Sequence, residues 1–150
     1  MGQMVTNEYV AGLLDGEGHI SIIHRPRRDR GRKDEWQSHI HVAFTMCDRA
    51  PLDAVAERFG GPVIPLKQTS SVWRPAFRWQ SAGPPAEALL RAARPYLLVK
   101  HRQADLALEF RSTLIQGGRT TPIRAKMNAE VLAHRLRLRG EIQALNRRGA

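Results

Sequence analysis

The sequence predicts an α+β fold built around a four-stranded antiparallel sheet. Some segments carry apolar residues at helical spacing, others carry them at alternate positions, and the alternating segments come in two pairs joined by turn residues. Each pair therefore predicts a β-ribbon. Because a helix precedes and follows each ribbon, the predicted order is helix, ribbon, helix, ribbon, helix, and two further helices complete the chain.

The limits of these elements follow from capping and breaking residues. Thr6 or Asn7 can cap the first helix, and Pro122 stands at the start of the last one. Paired glycines at 60–61 and 117–118 end two others. The predicted helices span residues 9–18, 48–59, 86–94, 100–115 and 122–146. The predicted strands span residues 19–24, 36–46, 63–67 and 72–80.

Alternation along the strands separates an apolar face from a polar one. In the second strand the apolar residues are Ile40, Val42, Phe44 and Met46, and the opposite face carries Gln37, His39, His41, Ala43 and Thr45. In the fourth strand Trp73, Phe77 and Trp79 are expected in the core, opposite Arg74, Arg78 and Gln80. His39 and His41 fit three roles: a metal-binding pair, contacts to a base or phosphate, or plain surface histidines.

The chain carries a strong excess of positive charge. Its 150 residues include 24 Lys and Arg against 14 Asp and Glu, which gives a net charge of +10. Such a charge favours a polyanionic partner, with an anionic membrane surface as the competing interpretation. The 42% of apolar residues is typical of a globular domain. We expect residues 1–116 to form the domain core and residues 117–150 to form a basic helical extension packed on it.

Membrane insertion and secretion are not expected from this sequence. Apolar runs fall short of the roughly 18 residues that a spanning helix needs, and the N-terminus lacks a signal-peptide pattern. Cys47 is the single cysteine, so an internal disulfide is excluded, and its apolar setting predicts a small core residue. We expect a protein of a reducing cytoplasm or organellar matrix, without membrane contact.

The first predicted helix is unusual for a soluble protein. Gly12 and Gly16 are four residues apart, so they share one helical face with Ala11 beside them. Each glycine costs roughly 1 kcal/mol relative to alanine in a helix, so this face predicts close approach by another helix. Asp15 and Glu17 lie at the C-terminal end, where the helix dipole disfavours acids unless a cation is near. The alternative is an ordinary amphipathic helix with a glycine cap and two solvated acids.

The segment from Val10 to Gly18, VAGLLDGEG, resembles the LAGLIDADG motif that names a family of homing endonucleases. The order of helices and ribbons resembles the αββαββα order of that fold, in which a curved sheet lies along the DNA major groove. The chain holds one copy of the motif, which implies a homodimer with two motif helices packed together. The dimer interface implied by the resemblance comprises Tyr9, Ala11, Gly12, Asp15 and Gly16.

The resemblance also implies an active site for cleavage of double-stranded DNA with Mg²⁺ or another divalent cation. Glu17 stands at the acidic position that binds the metal, and the Gly16 carbonyl is an expected second ligand. Asp48 matches a polar residue that organises water and is often Gln in relatives, so it is either a metal ligand or a helix cap. Lys100, in a K-x-x-Q-A segment, matches a lysine that stabilises charge at the scissile phosphate, or is simply a first-turn lysine.

The expected DNA contacts lie on the polar face of the sheet and at its hairpin tips. Arginine suits guanine, glutamine suits adenine and isoleucine suits the thymine methyl group, while other cations hold phosphates. The DNA-contacting set is Ser21, Ile23, Arg25, Arg27, Arg28, Arg30, His39, His41, Thr45, Lys67, Arg74, Arg78 and Gln80.

The leading prediction is therefore a site-specific, metal-dependent DNA endonuclease that acts as a homodimer. The alternative is a non-cleaving DNA- or RNA-binding protein on the same scaffold, either a regulator or a maturase-like protein. A basic residue that relatives use shortly after the Asp48 position is replaced here by Leu52, with Arg49 as a candidate substitute, and this favours the alternative. A generic RNA-binding module is a third interpretation.

Overall fold

The computed structural model describes residues 4–26, 36–115 and 129–148. The helices are α1 (Asn7–Glu17), α2 (Ala50–Phe59), α3 (Pro84–Ala93), α4 (His101–Ile115) and α5 (Ala129–Arg148), with a 3-10 turn at Arg94–Tyr96. The strands are β1 (Gly18–Pro26), β2 (Trp36–Met46), β3 (Val63–Pro65) and β4 (Phe77–Ser81). The predicted fold class is confirmed. The predicted DNA contacts Arg27, Arg28 and Arg30, and the first turns of the last predicted helix, lie outside the described residues.

The four strands form one sheet in the order β1-β2-β4-β3, and all neighbouring strands are antiparallel. The register places Ile22 opposite Ile40 and Phe44 opposite Trp79. Since side chains alternate between the two faces, this register collects the apolar residues of β1, β2 and β4 on one face.

The helices cover the apolar face and leave the other face open. Ile20, Ile40, Phe44 and Trp79 are fully buried, and the Phe44 and Trp79 rings lie 5.6 Å apart. The helices add apolar side chains to the same cluster, including Leu14, Leu52, Leu89, Leu90, Leu106 and Phe110. One core therefore holds the sheet and helices together, and the opposite face of the sheet remains available for a partner.

The turn from α1 into β1 depends on a glycine. Thr6 caps the start of α1 by accepting a hydrogen bond from the Tyr9 N–H at 3.1 Å. At the other end Gly18 donates its N–H to the Leu14 carbonyl oxygen. A Cβ atom at Gly18 would lie 2.7 Å from that oxygen and 2.8 Å from Leu14 Cα. A larger residue would therefore force the backbone apart at this turn.

A second glycine turn closes the edge of the sheet beside β3. Gly60 and Gly61 have φ values of 85° and 91°, in the region that favours glycine. The Trp79 indole N–H donates to the Gly60 carbonyl at 2.8 Å, and a Cβ at Gly61 would lie 2.8 Å from the same nitrogen. The turn is thus held tightly against a buried tryptophan.

The second ribbon is shorter than predicted. β4 begins at Phe77 and not at residue 72, because β2 ends at Met46, which pairs with Phe77. Trp73 is consequently 66% exposed, and the prediction that it fills the core is wrong. The prediction that Cys47 is a core residue is also wrong, because it follows the end of β2 and is exposed.

The last helix packs on the same core as the rest of the chain. Leu138 and Ile142 are buried within it, and the Asn146 side chain donates to the Ile20 carbonyl at 3.0 Å. Helix α5 thus lies against α4 and the edge strand β1. The boundary between residues 116 and 117 stays a prediction. None of the helices in the described ranges combines the length and apolar character needed to cross a membrane.

Candidate functional site

The two sides of α1 have different surroundings. Val10, Ala11 and Leu14 are fully buried in the core of their own chain. Tyr9 is 47% exposed, and Gly12 and Gly16 are also exposed. A Cβ atom built at either glycine would meet no heavy atom of the described residues within 4 Å. Packing among the described residues of one chain therefore explains the residues on the buried side of α1. It does not explain why positions 12 and 16 are glycine.

Two residues predicted at a dimer interface are engaged within their own chain. Ala11 is inaccessible at the surface, so its prediction as an interface residue is wrong. It lies one residue away from Gly12, a rotation of about 100° around the helix, and this turns its methyl group into the core. The Asp15 carboxylate is bound to the backbone before α4, 83 residues further along the chain.

Asp15 joins the end of α1 to the start of α4. Its carboxylate accepts hydrogen bonds from the backbone N–H groups of Leu98 (2.8 Å), Val99 (3.2 Å) and Lys100 (2.9 Å). Burial raises the pKa of Asp15, but these bonds and the Lys100 charge outweigh it and hold the pKa below its ordinary value. The ionised carboxylate therefore stabilises the junction between α1 and the start of α4.

The same junction places Lys100 beside the motif. Its ammonium group donates to the Asp15 carbonyl oxygen at 2.7 Å, and its backbone carbonyl accepts from the Ala104 N–H in the first turn of α4. Glu17 lies two residues beyond Asp15 on α1 and is exposed. A half-buried cation therefore lies at the end of α1 that carries the exposed Glu17, where the sheet begins.

Sequence reasoning missed two exposed apolar residues in this loop. Leu98 is 85% exposed and Val99 is 67% exposed, although both are held in place by the Asp15 carboxylate. An apolar side chain that is rigidly presented to solvent favours contact with another molecule. The signal in the sequence is the apolar pair directly before Lys100.

The open face of the sheet carries the polar residues that alternation predicted. Ser21 lies opposite His41, Ile23 opposite His39, and Arg25 opposite Gln37 in the β1–β2 register. Across β4, Arg78 donates from Nε to the Thr45 hydroxyl at 3.2 Å, and the His41 ring contacts the Gln80 side chain at 3.3 Å. His19 and Gln37 belong to the same face and were not among the predicted contacts.

Two of the predicted contacts lie outside the described strands. Lys67 and Arg74 are exposed and belong to the connection between β3 and β4. Arg74 was predicted to lie within a strand, and that part of its prediction is wrong because β4 starts at Phe77. Arg25, by contrast, lies within β1, one residue before its end at Pro26.

Two histidines of the open face have lowered pKa values. Burial lowers the pKa of His19, and repulsion from His41, Lys100 and Arg78 lowers it further. Burial is also the largest cause of the lowered pKa of His39. Both rings are therefore more often neutral than an exposed histidine at the same pH, and each then carries one donor and one acceptor nitrogen.

Asp48 lies next to the end of β2 and is exposed. Helix α2 begins at Ala50 with Arg49 in the cap position, so Asp48 lies one residue outside the place of a helix cap. Arg49 itself has helical backbone angles and makes no side-chain cap hydrogen bond, so the two alternatives for Asp48, a metal ligand or a helix cap, both stay predictions. Arg49 pairs with Asp53 at 3.2 Å and lies over the Phe77 ring at 5.4 Å, while Leu52 is fully buried.

The described residues of one chain do not form a complete set of metal-binding side chains. Among the described residues, no three His, Cys, Asp or Glu side chains come together in a way that would hold an ion. The donors near the end of α1 are the Glu17 carboxylate and backbone carbonyl groups, which are oxygen ligands of the kind Mg²⁺ accepts. The described residues of one chain therefore supply oxygen donors at the end of α1 but no complete set of ion ligands.

Comparison with solved structures identifies the architecture. The chain superposes on the homing endonuclease I-CvuI, crystallised with DNA, with a TM-score of 0.70 and 20% identity over 93% of this chain and 80% of that one. It superposes on the homing endonuclease I-TnaI with a TM-score of 0.66 and 16% identity over 97% and 96% of the two chains. It also superposes on the LAGLIDADG meganuclease I-AabMI, bound to uncleaved DNA, with a TM-score of 0.69 and 14% identity over 93% of this chain and 45% of that one.

This chain has the LAGLIDADG homing-endonuclease fold. The searches with family models and against curated proteins gave no match, so the likeness lies in three-dimensional structure. The LAGLIDADG-like segment of this chain forms α1 and its closing glycine, and the open face of the sheet begins directly after it.

Proposed function

We propose that this protein is a homodimeric, divalent-metal-dependent endonuclease that cleaves double-stranded DNA at specific sites. The observation that carries the proposal is the end of α1, where Glu17 is exposed and the Lys100 ammonium group is bound. The same helix presents Gly12 and Gly16 on an exposed side, which we call the glycine side. The LAGLIDADG fold and the net charge of +10 support it. I-CvuI and I-AabMI, two of its structural neighbours, were crystallised with DNA.

A second copy of the chain would complete the site. Tyr9, Gly12 and Gly16 form an exposed side of α1 on which an identical helix can approach closely. Leu98 and Val99 add exposed apolar surface next to this side, because Asp15 ties their backbone to α1. In a two-fold dimer the two Glu17 side chains come together.

The resulting pair of carboxylates fits a divalent cation. Two carboxylates about 5 Å apart repel by roughly 3 kcal/mol at an effective dielectric constant near 20. We propose that Glu17 of each chain, with the Gly16 carbonyl, holds Mg²⁺ or a similar ion. Such an ion would activate a water molecule and neutralise charge on the phosphodiester.

The remaining residues of the site have separate roles. Lys100 is held by Asp15 at the end of α1, where its charge would stabilise the phosphate during cleavage. Asp48, which does not occupy the cap position of α2, would order water or add a ligand to the ion. The open face of the sheet would read the DNA major groove through its strand residues, and Lys67 and Arg74 would hold phosphates.

One observation favours a non-cleaving binding protein on the same scaffold. Leu52 occupies the position where related endonucleases carry a basic residue, and it is fully buried in the core. Arg49, the candidate substitute, is bound to Asp53 and stacks on Phe77. A protein that lacks a free basic side chain at this position would keep DNA or RNA binding and lose strand cleavage.

Cleavage of a randomised library of DNA duplexes in the presence of Mg²⁺ tests the proposal. The wild-type protein is expected to cut a small set of related sequences, and Glu17→Gln is expected to reduce cutting by at least a hundredfold while DNA binding persists. Glu8→Gln is the matched control, because Glu8 lies on the first turn of the same helix and is also exposed. It should leave cleavage unchanged.

The other outcomes separate the alternatives. Sequence-specific binding to duplex DNA without cuts by the wild-type protein would support the non-cleaving regulator. Preferential binding to structured RNA would support the maturase-like interpretation. Cutting by Glu17→Gln at the wild-type rate would show that Glu17 does not hold the catalytic ion.

A further inference from the structure

A shallow groove of about 560 Å³ lies on the open face of the sheet. Its floor includes Ile23, His39 and His41 from β1 and β2, and Gln80 lines it from β4. The Gly61–Pro62 segment forms part of its wall, which is fixed because the preceding Gly60 carbonyl accepts the Trp79 indole hydrogen bond. The groove is therefore built from strands and a rigid turn.

Within the groove, the His41 imidazole and the Gln80 carboxamide form a pair. His41 Nε2 lies 3.3 Å from Gln80 Oε1, and both side chains are half-buried. The residue directly opposite Gln80 on β2 is Ala43, and the residue opposite His41 on β1 is Ser21. Because Ala43 carries only a methyl group, the glutamine has room to lean diagonally across the sheet toward His41.

The hydrogen bond determines which groups the pair presents to a ligand. The Gln80 oxygen accepts from the His41 tautomer that is protonated at Nε2, and this oxygen keeps a second lone pair. The Gln80 amide nitrogen keeps two N–H donors. The carboxamide that His41 holds in place thus presents one acceptor on its oxygen and donors on its nitrogen.

This combination matches one base edge better than another. In the major groove adenine presents an acceptor at N7 and a donor at the N6 amino group, whereas guanine presents acceptors at both N7 and O6. A donor from the Gln80 amide nitrogen and the second lone pair of its oxygen together satisfy adenine. With guanine, the Gln80 oxygen would face the lone pairs of O6.

We propose that His41 is a positioning residue for Gln80 and that the pair selects adenine at one position of the DNA site contacted by each chain. This inference rests on the proposed DNA binding, but not on strand cleavage. Without His41 the Gln80 side chain would sample several rotamers, and part of its binding energy would be lost in ordering it.

Selection from a randomised duplex library by binding alone, with Ca²⁺ in place of Mg²⁺, tests the inference. The wild-type protein should show a preference for adenine at the affected position, and Gln80→Ala should reduce that preference about tenfold or more. His41→Ala should weaken the preference at the same position, and the double variant should match Gln80→Ala. His39→Ala is the control, because His39 lies two residues away on the same face of β2 and should affect a different position.

The remaining outcomes overturn the inference. If His41→Ala and Gln80→Ala change different positions, or if their effects multiply in the double variant, His41 does not act through Gln80. If neither variant changes an adenine preference, the pair does not read adenine. A wild-type protein that binds no duplex DNA would refute the proposed function itself, which distinguishes that failure from the failure of this inference. Thermal melting of each variant establishes that it is folded.

Discussion

Helix α1 has eleven residues, and its two sides have opposite surroundings. On one side Val10, Ala11 and Leu14 have no exposed surface, and Gly18 fits closely against Leu14. On the other side Gly12 and Gly16 have open space above them. The first side shows how a helix is stabilised by its own domain. The second shows a composition that reduces helix stability and gains nothing within the described part of the chain.

This contrast suggests that the glycine side serves an assembly and not the folding of a single chain. Where a turn requires glycine, as at Gly18, a Cβ atom would clash with neighbouring atoms of the same chain. A glycine that a partner requires shows open space in the isolated chain and a cost in helix stability. Substitutions on the two sides of α1 should therefore have different consequences.

The largest effect on folding is expected for Gly18→Ala. The new Cβ would lie 2.7 Å from the Leu14 carbonyl oxygen, so the turn from α1 to β1 would have to move. Overpacking of this kind costs about 1–3 kcal/mol and occasionally more. Urea unfolding should show this loss of unfolding free energy, and an unchanged midpoint would mean that the turn is looser than the structure indicates.

Asp15→Asn should have an intermediate effect that depends on pH. The folded-state pKa of Asp15 lies below its value in the unfolded chain, so its ionised form stabilises the protein above pH about 4. That stabilisation is lost as the pH falls through the lower, folded-state pKa. At pH 7 the variant should lose about 1–2 kcal/mol, because bonds to an ionised acceptor are replaced by weaker ones.

The measurement is the unfolding free energy of both proteins at several pH values. The difference between wild type and Asp15→Asn should shrink toward acidic pH. A difference that is constant from pH 7 to pH 3 would show that the Asp15 charge contributes nothing to the junction between α1 and α4.

The smallest effect on the unfolding free energy is expected when a glycine on the glycine side of α1 is compared with an ordinary exposed helical glycine. Gly140 on α5 also has open space at its Cβ position among the described residues. Gly140→Ala should raise the unfolding free energy by up to about 1 kcal/mol, because alanine is the better helix former. Gly12→Ala should not give this gain, since its methyl group would separate the two helices of a dimer. Its thermal midpoint should instead become more dependent on protein concentration.

Much of this architecture could be predicted from local pattern. Alternation identified the buried residues of β1 and β2 because a two-residue period needs no knowledge of distant neighbours. The start of β4 could not be found in this way, because it depends on where β2 ends. Trp73 continued the apolar alternation but has no strand opposite it.

The contacts of the candidate site likewise depend on residues that are distant in the sequence. Glu17 and Lys100 were found by resemblance, and the structure brings their segments together at the end of α1. The hydrogen bonds from Asp15 to a loop 83 residues away, and the exposure of Leu98 and Val99 that follows, depend on tertiary packing. The His41–Gln80 pair likewise joins two strands that are 39 residues apart in sequence.

The mass of the protein in solution tests the central claim most directly. Sedimentation or light scattering at micromolar concentration should give twice the 16.9 kDa of one chain for the wild type and for Gly140→Leu. Gly12→Leu should give 16.9 kDa with its folded circular dichroism spectrum retained, because the leucine would point away from the core. A wild-type protein of single-chain mass, or a Gly12→Leu variant that remains dimeric, would contradict the claim that the glycine side of α1 joins two copies of the chain.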